Sequence, residues 1–187
     1  MSIVERVKRI CLSPDSEWPV IASESTTMSV LITSYVLPLA ALSAVAALVG
    51  SVLAGFSIMG GLSIAVRSLV MSVVGVVVLS VIIDALAPTF GAEKGSERAA
   101  KVAAYSPTPA WVGGVFQVVP FLGNLVALIG ALYSLYLLYF GLLRVMRSPQ
   151  DKVVGYTVVV ILCALVIGVV ASYISTVAMG TGTPPLY

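Results

Sequence analysis

The run STTMSVLITSYVLPLAALSAVAALVGSVLAGFSIMGGLSIAV, residues 25–66, lies between Glu24 and Arg67 and holds no charged side chain in 42 positions. A bilayer hydrocarbon core of ~30 Å is crossed by about 20 apolar residues at 1.5 Å rise, so this run is about twice what one crossing requires. Gly55, Gly60 and Gly61 divide it into a first helix near 28–54 and the start of a second, near 63–86, that ends before Pro88. The same pattern recurs outward. Residues 102–143 are uncharged and again too long for one helix, and Pro120 followed by Gly123-Asn124 marks a turn between a short third span near 107–121 and a fourth near 123–146. A fifth span runs over 153–179, and residues 180–187 form an extracytoplasmic tail.

Composition agrees. Of 187 residues, 59% are hydrophobic and 10% charged, with mean hydropathy +1.10. Soluble domains carry roughly 25% charged residues, so this chain cannot clothe a water-facing surface. The expected fold class is an all-α polytopic membrane protein: a bundle of five transmembrane helices (28–179) behind a cytoplasmic amphipathic leader (1–27). Its sidedness follows from the cations. Arg6, Lys8, Arg9, Lys94, Arg98, Lys101, Arg144, Arg147 and Lys152 all fall on one side of a five-span arrangement, and only Arg67 on the other. Lys and Arg are retained in the cytoplasm during insertion, which puts the N-terminus inside and the C-terminus outside the cell membrane. The rival reading, 107–121 as one arm of a re-entrant hairpin, reduces that split to six against four, so the charge rule favours five spans.

In the leader, Ile3, Val4, Val7, Ile10 and Cys11 recur at helical spacing, with Glu5, Arg6, Lys8 and Arg9 on the opposite face. That pattern suits a helix lying in the headgroup plane, ended by Ser13-Pro14 and followed by Trp18 at the interface. A second amphipathic segment, Gly95 to Ala104, is expected on the same surface. Small residues on one helix face mark seams for close helix approach: Ala46, Gly50 and Ala54; Gly123, Ala127, Gly130, Ser134 and Gly141; and, at strict four-residue intervals, Ala164, Gly168, Ser172 and Thr176. They fit either a tight bundle or a homo-oligomer.

Catalysis has little to work with. The chain lacks histidine, the commonest general base and metal ligand, and Cys11 and Cys163 sit in segments too different to suggest a disulfide or a metal site. No nucleophile elbow, zinc-protease motif or phosphate-binding loop occurs, so neither an enzyme nor a cofactor is expected. Asp84 ends a sixteen-residue uncharged stretch that begins after Arg67 and measures only ~24 Å, so it is either an interfacial carboxylate or a buried one paired with a cation such as Lys101 or Arg144, and across the 87–106 loop it can meet Lys101 or Tyr105. Pro107 and Pro109 must bend the chain where the third span begins. Asp84, Lys101, Tyr105, Pro107 and Pro109 therefore form the candidate functional cluster. Gln117, Asn124 and Tyr133 are the other polar side chains that could line a pathway, although amides in apolar helices more simply join neighbouring helices.

The chain resembles the Yip domain family of Ypt/Rab-interacting membrane proteins in its prokaryotic form. The likeness rests on Ser13-Pro14 followed by Trp18 and Ile21, and on Tyr35-Val36-Leu37-Pro38-Leu39. It continues in Lys101-Val102-Ala103-Ala104-Tyr105-Ser106-Pro107-Thr108-Pro109-Ala110-Trp111, in the Leu132 to Tyr139 run and in Asp151-Lys152-Val153-Val154-Gly155-Tyr156-Thr157. The resemblance implies a five-span membrane protein with a cytoplasmic N-terminus, without established catalysis, that binds partners or shapes membranes. The first expectation is thus a non-enzymatic protein that organises membrane or recruits a protein partner at its cytoplasmic face, with the bilayer as its constant partner and no nucleic acid. The second is a small transporter or channel with a path around Asp84, Gln117 and Asn124.

Overall fold

The computed structural model describes residues 2–178, and the expected tail over 180–187 lies outside them. Among the described residues every regular element is helical: α1 (Ile3–Leu12), α2 (Pro14–Ser23), α3 (Met28–Leu31), α4 (Leu37–Leu53), α5 (Ile58–Leu86), α6 (Ser96–Tyr105), α7 (Thr108–Gly114), α8 (Pro120–Arg144) and α9 (Val153–Ala178). One π-helical turn, Ile32–Val36, joins α3 to α4. Pro38 has no N–H to offer the Ser34 carbonyl, and the preceding turn widens, with the Leu37 N–H reaching back to Ile32. Four stretches are long and apolar enough to cross a bilayer: Met28–Leu53, Ile58–Phe90, Phe121–Arg144 and Val153–Ala171.

Helix starts differ from the sequence expectation for local reasons. α5 begins at Ile58 rather than near 63, because Ser57 caps it through the Gly60 N–H at 3.1 Å and the reversal is made by Gly55 at φ +93°. Gly60 and Gly61 therefore lie inside its first turn. α8 begins at Pro120, since a proline is well placed at a first helical position, and Gly123-Asn124 continue that helix instead of turning it.

The segment expected as a third span is shorter than drawn: α7 and a 3-10 turn, Val115–Val118, cover only eleven residues. It is not isolated, because α6 leads into it with only Ser106 and Pro107 between. Val102 of α6 meets Gly141, Pro109 meets Gly130 and Gln117 meets Gly123, so α6, α7 and the 3-10 turn form one broken rod antiparallel to α8. This overturns the surface position expected for Gly95 to Ala104. Every residue from Ala99 to Tyr105 is buried, enclosed by α2, α3, α5 and α8.

The small-residue seams divide in the same way. A Cβ on Gly50, Gly123 or Gly130 would collide with the backbone carbonyls of Gln117, Phe116 or Pro109, and Gly141 lies against the Trp18 ring. These seams are filled within one chain. Gly168 on α9 meets nothing within 4 Å. At the charged end, α9 is fastened by Tyr156, whose hydroxyl donates to the Ile83 carbonyl and whose ring stacks on Phe90 at 5.0 Å.

Gly130→Ala is expected to destabilise the protein by ~1–3 kcal/mol through overpacking, and Gly168→Ala to stay within about 0.5 kcal/mol of the parent. Thermal unfolding in detergent measures both, and equal effects would contradict the assignment of the two seams.

Candidate functional site

The polar groups of the charged end gather on the leader. α1 does not present Arg6 to solvent with Glu5, Lys8 and Arg9; Ile3, Arg6, Val7 and Ile10 share the inward stripe at helical spacing, while Val4 is 73% exposed. Arg6 is only 7% exposed and its guanidinium donates to Glu17 at 2.5 Å and to Glu24. Glu17 and Glu24 lie seven residues apart, two turns along the direction of α2, and so reach the same cation. Burial disfavours the Arg6 charge, yet the Glu24 hydrogen bond and the surrounding carboxylates outweigh it and leave the pKa raised. The guanidinium also stands 5.7 Å from the centroid of the Tyr105 ring, within cation–π range. Burial pushes the neighbouring Cys11 thiol up, away from a reactive thiolate.

Tyr105 links this cluster to the bend. Pro109 cannot donate to the Tyr105 carbonyl, its normal helical partner, and the Thr108 hydroxyl donates to that oxygen instead at 2.6 Å. Since Thr108 has one hydroxyl proton and uses it there, the 2.9 Å contact with the Tyr35 hydroxyl has Tyr35 as donor. The Tyr35 ring meets Tyr105 edge-on at 4.6 Å. The carbonyl freed by Pro109 is therefore satisfied by protein groups.

Asp84 and Lys101 do not pair with each other, and Asp84 does not reach Tyr105. The half-buried Asp84 carboxylate accepts the Gly95 N–H at 2.8 Å, at the N-terminus of α6. Lys101, 4% exposed, donates to the Ala22 carbonyl at 3.2 Å and to the Glu24 carbonyl, at the C-terminus of α2. An anion at a helix start and a cation at a helix end both oppose the local end of the helix dipole, so each charge is satisfied by backbone. The remaining candidates are scattered. Gln117 packs by its backbone on Gly50 and Gly123, at the opposite end of the bundle from Asp84; Asn124 is exposed on α8; the Tyr133 hydroxyl donates to the Cys11 carbonyl at 2.9 Å. Sequence reasoning missed Arg6, Glu17 and Glu24. The signal was present in the 3, 6, 7, 10 stripe, which places a cation in the middle of an otherwise apolar face.

This arrangement holds helices together and carries no nucleophile–base pair. Among the described residues no group of His, Cys, Asp and Glu side chains could hold a metal ion. Four apolar helices of spanning length under a charged cap define a multi-pass, all-α membrane protein. The chain matches the Yip1 domain over residues 8–179, nearly its whole length, and belongs to the Yip1 domain family. No curated protein and no solved structure matches it.

Arg6→Gln is expected to cost ~3–5 kcal/mol, because it strands the buried Glu17 carboxylate. Glu17→Gln in addition should cost less than the sum of the single changes. Chemical or thermal unfolding in detergent reports both; a near-zero effect of Arg6→Gln would mean that the cluster is solvated.

Proposed function

We propose that this chain is a non-enzymatic organiser of its membrane that presents a fixed cytoplasmic platform to a protein partner. The observation that carries this reading is the Arg6, Glu17 and Glu24 cluster with Lys101 beside it, which clamps α1 and α2 onto the buried α6. Charged groups at that end serve to hold a surface together. The transport reading draws no support from the positions of its residues, since Asp84 and Gln117 stand at opposite ends of the bundle and Asn124 faces outward.

In this proposal the bilayer is crossed five times: by α3 with α4, by α5, by the broken rod of α6 and α7, by α8 and by α9. Support comes from the nine cations gathered on one side under that count and from the antiparallel run of the rod along α8. The N-terminus is then cytoplasmic and the C-terminus extracytoplasmic. The platform comprises α1, α2, the first turn of α6 with Arg98, and the loops carrying Glu93 and Arg147, which form their own ion pairs.

In a Cys11→Ser/Cys163→Ser background, Phe56→Cys is expected to react with an impermeant thiol reagent on intact cells, and Pro149→Cys to react only after permeabilisation. External labelling of Pro149→Cys would refute the five-span count. Reconstituted into vesicles at rising density, the protein should shift the vesicle size distribution without releasing entrapped small ions; protein-dependent ion release would refute the organising role in favour of transport.

A further inference from the structure

Beside the leader, where α1 turns into α2 over α8, lies an open cleft of about 770 Å³ lined by Leu12, Ser13, Asp15, Ile129, Leu132 and Tyr136. It shares Ile129 and Tyr133 with a 270 Å³ apolar cavity that continues beneath Cys11 to Val126 and Phe116. The two form one trough, polar at the mouth and apolar along the floor. The Tyr133 hydroxyl, where the two meet, donates to the Cys11 carbonyl, so the floor beyond it offers mainly hydrocarbon and aromatic surface. Tyr133 and Tyr136 stack at 5.5 Å to form a flat wall.

Depth and surroundings identify the occupant. The floor is made by α8, one of the bilayer-crossing helices, so the medium that meets it is lipid. From Tyr136 to Val126 is ten residues, about 15 Å of helix, which is half of the ~30 Å hydrocarbon core and so the depth of one leaflet. Asp15 lines the mouth, and the Arg144 guanidinium, which is not part of the lining, reaches down beside it. Asp15 and Arg144 are 4.0 Å apart and are 66% and 50% exposed, a pair too loose and too hydrated to satisfy itself. A headgroup with an amine and a phosphate complements both. A purely anionic headgroup would place its charge beside Asp15, and a quaternary amine has no proton to donate to the carboxylate.

We propose that this trough holds one phospholipid with a primary-amine zwitterionic headgroup from the leaflet at the charged end. Its ammonium donates to the Asp15 carboxylate and its phosphate accepts from the Arg144 guanidinium. One acyl chain runs over Leu132 and Ile129 into the cavity beneath Cys11. The leader thereby contributes half of a lipid site, whether or not its outer surface recruits a protein.

Native mass spectrometry of the full chain in mild detergent, with added phosphatidylethanolamine, phosphatidylglycerol, phosphatidylcholine or diacylglycerol, tests the site. One phosphatidylethanolamine per chain is expected, retained at least tenfold better than the other lipids. Asp15→Asn should abolish the preference over phosphatidylglycerol, and Arg144→Gln should weaken every phospholipid without affecting diacylglycerol. Both residues are exposed, so these variants fold. Leu132→Trp should fill the floor and lower occupancy severalfold. Equal retention of phosphatidylglycerol, an unchanged ratio in Asp15→Asn, or full occupancy in Leu132→Trp would overturn the proposal. So would equal binding of phosphoethanolamine alone, which has no chain and would mark a site for the free headgroup.

Discussion

A buried backbone carbonyl that loses its helical donor must find another partner, and one broken turn shows how this protein meets that constraint. Pro107 and Pro109 remove two helical donors in succession. The Thr108 hydroxyl replaces one of them at the Tyr105 carbonyl and is itself held by Tyr35. With the Tyr105 carbonyl satisfied, α6 and α7 continue as one bent rod. The upper half of that rod is then drawn among α2, α3, α5 and α8 rather than left on the surface. Tyr105, the last residue of α6, becomes the contact between the bend and the leader's buried arginine.

Charge at this end of the molecule is disposed of mostly by helix ends and carboxylates, and each arrangement joins elements distant in sequence. Asp84 from α5 serves the start of α6, Lys101 from α6 serves the end of α2, and Arg6 from α1 serves Glu17 of α2 and Glu24 just past its end. A buried ion pair is weak evidence of net stability, because taking both charges out of water costs several kcal/mol per ion. Its contribution here is position: a leader able to lie at many angles is held at one. That position also sets the wall of the trough beside α8, which Leu12, Ser13 and Asp15 form where α1 turns into α2.

Within the membrane the helices approach through absence of side chain. Lipid tails compete evenly with apolar side chains, so close backbone contact has to supply the attraction. Gly50, Gly123 and Gly130 supply it around α7 and its 3-10 turn, where a methyl group would have no room. Gly168 faces outward at the same kind of spacing. The spacing of small residues therefore marks helices that can be approached closely, and the neighbours decide which ones are.

The sequence by itself determined the all-α membrane class, the long spans and the gathering of cations, because these depend on composition and on the spacing of charges along one chain. It also pointed to the stretch from Tyr105 to Pro109, since proline acts on its own backbone wherever it stands. It could not assign partners. Asp84 and Lys101 are seventeen residues apart and looked like a pair, yet each found a helix terminus that exists only once α2 and α6 are folded and packed. Arg6 read as a solvated charge because amphipathic periodicity counts hydropathy and cannot see a carboxylate waiting eleven residues on. The energy of a charge depends on what surrounds it in three dimensions, and only the tertiary structure supplies those surroundings.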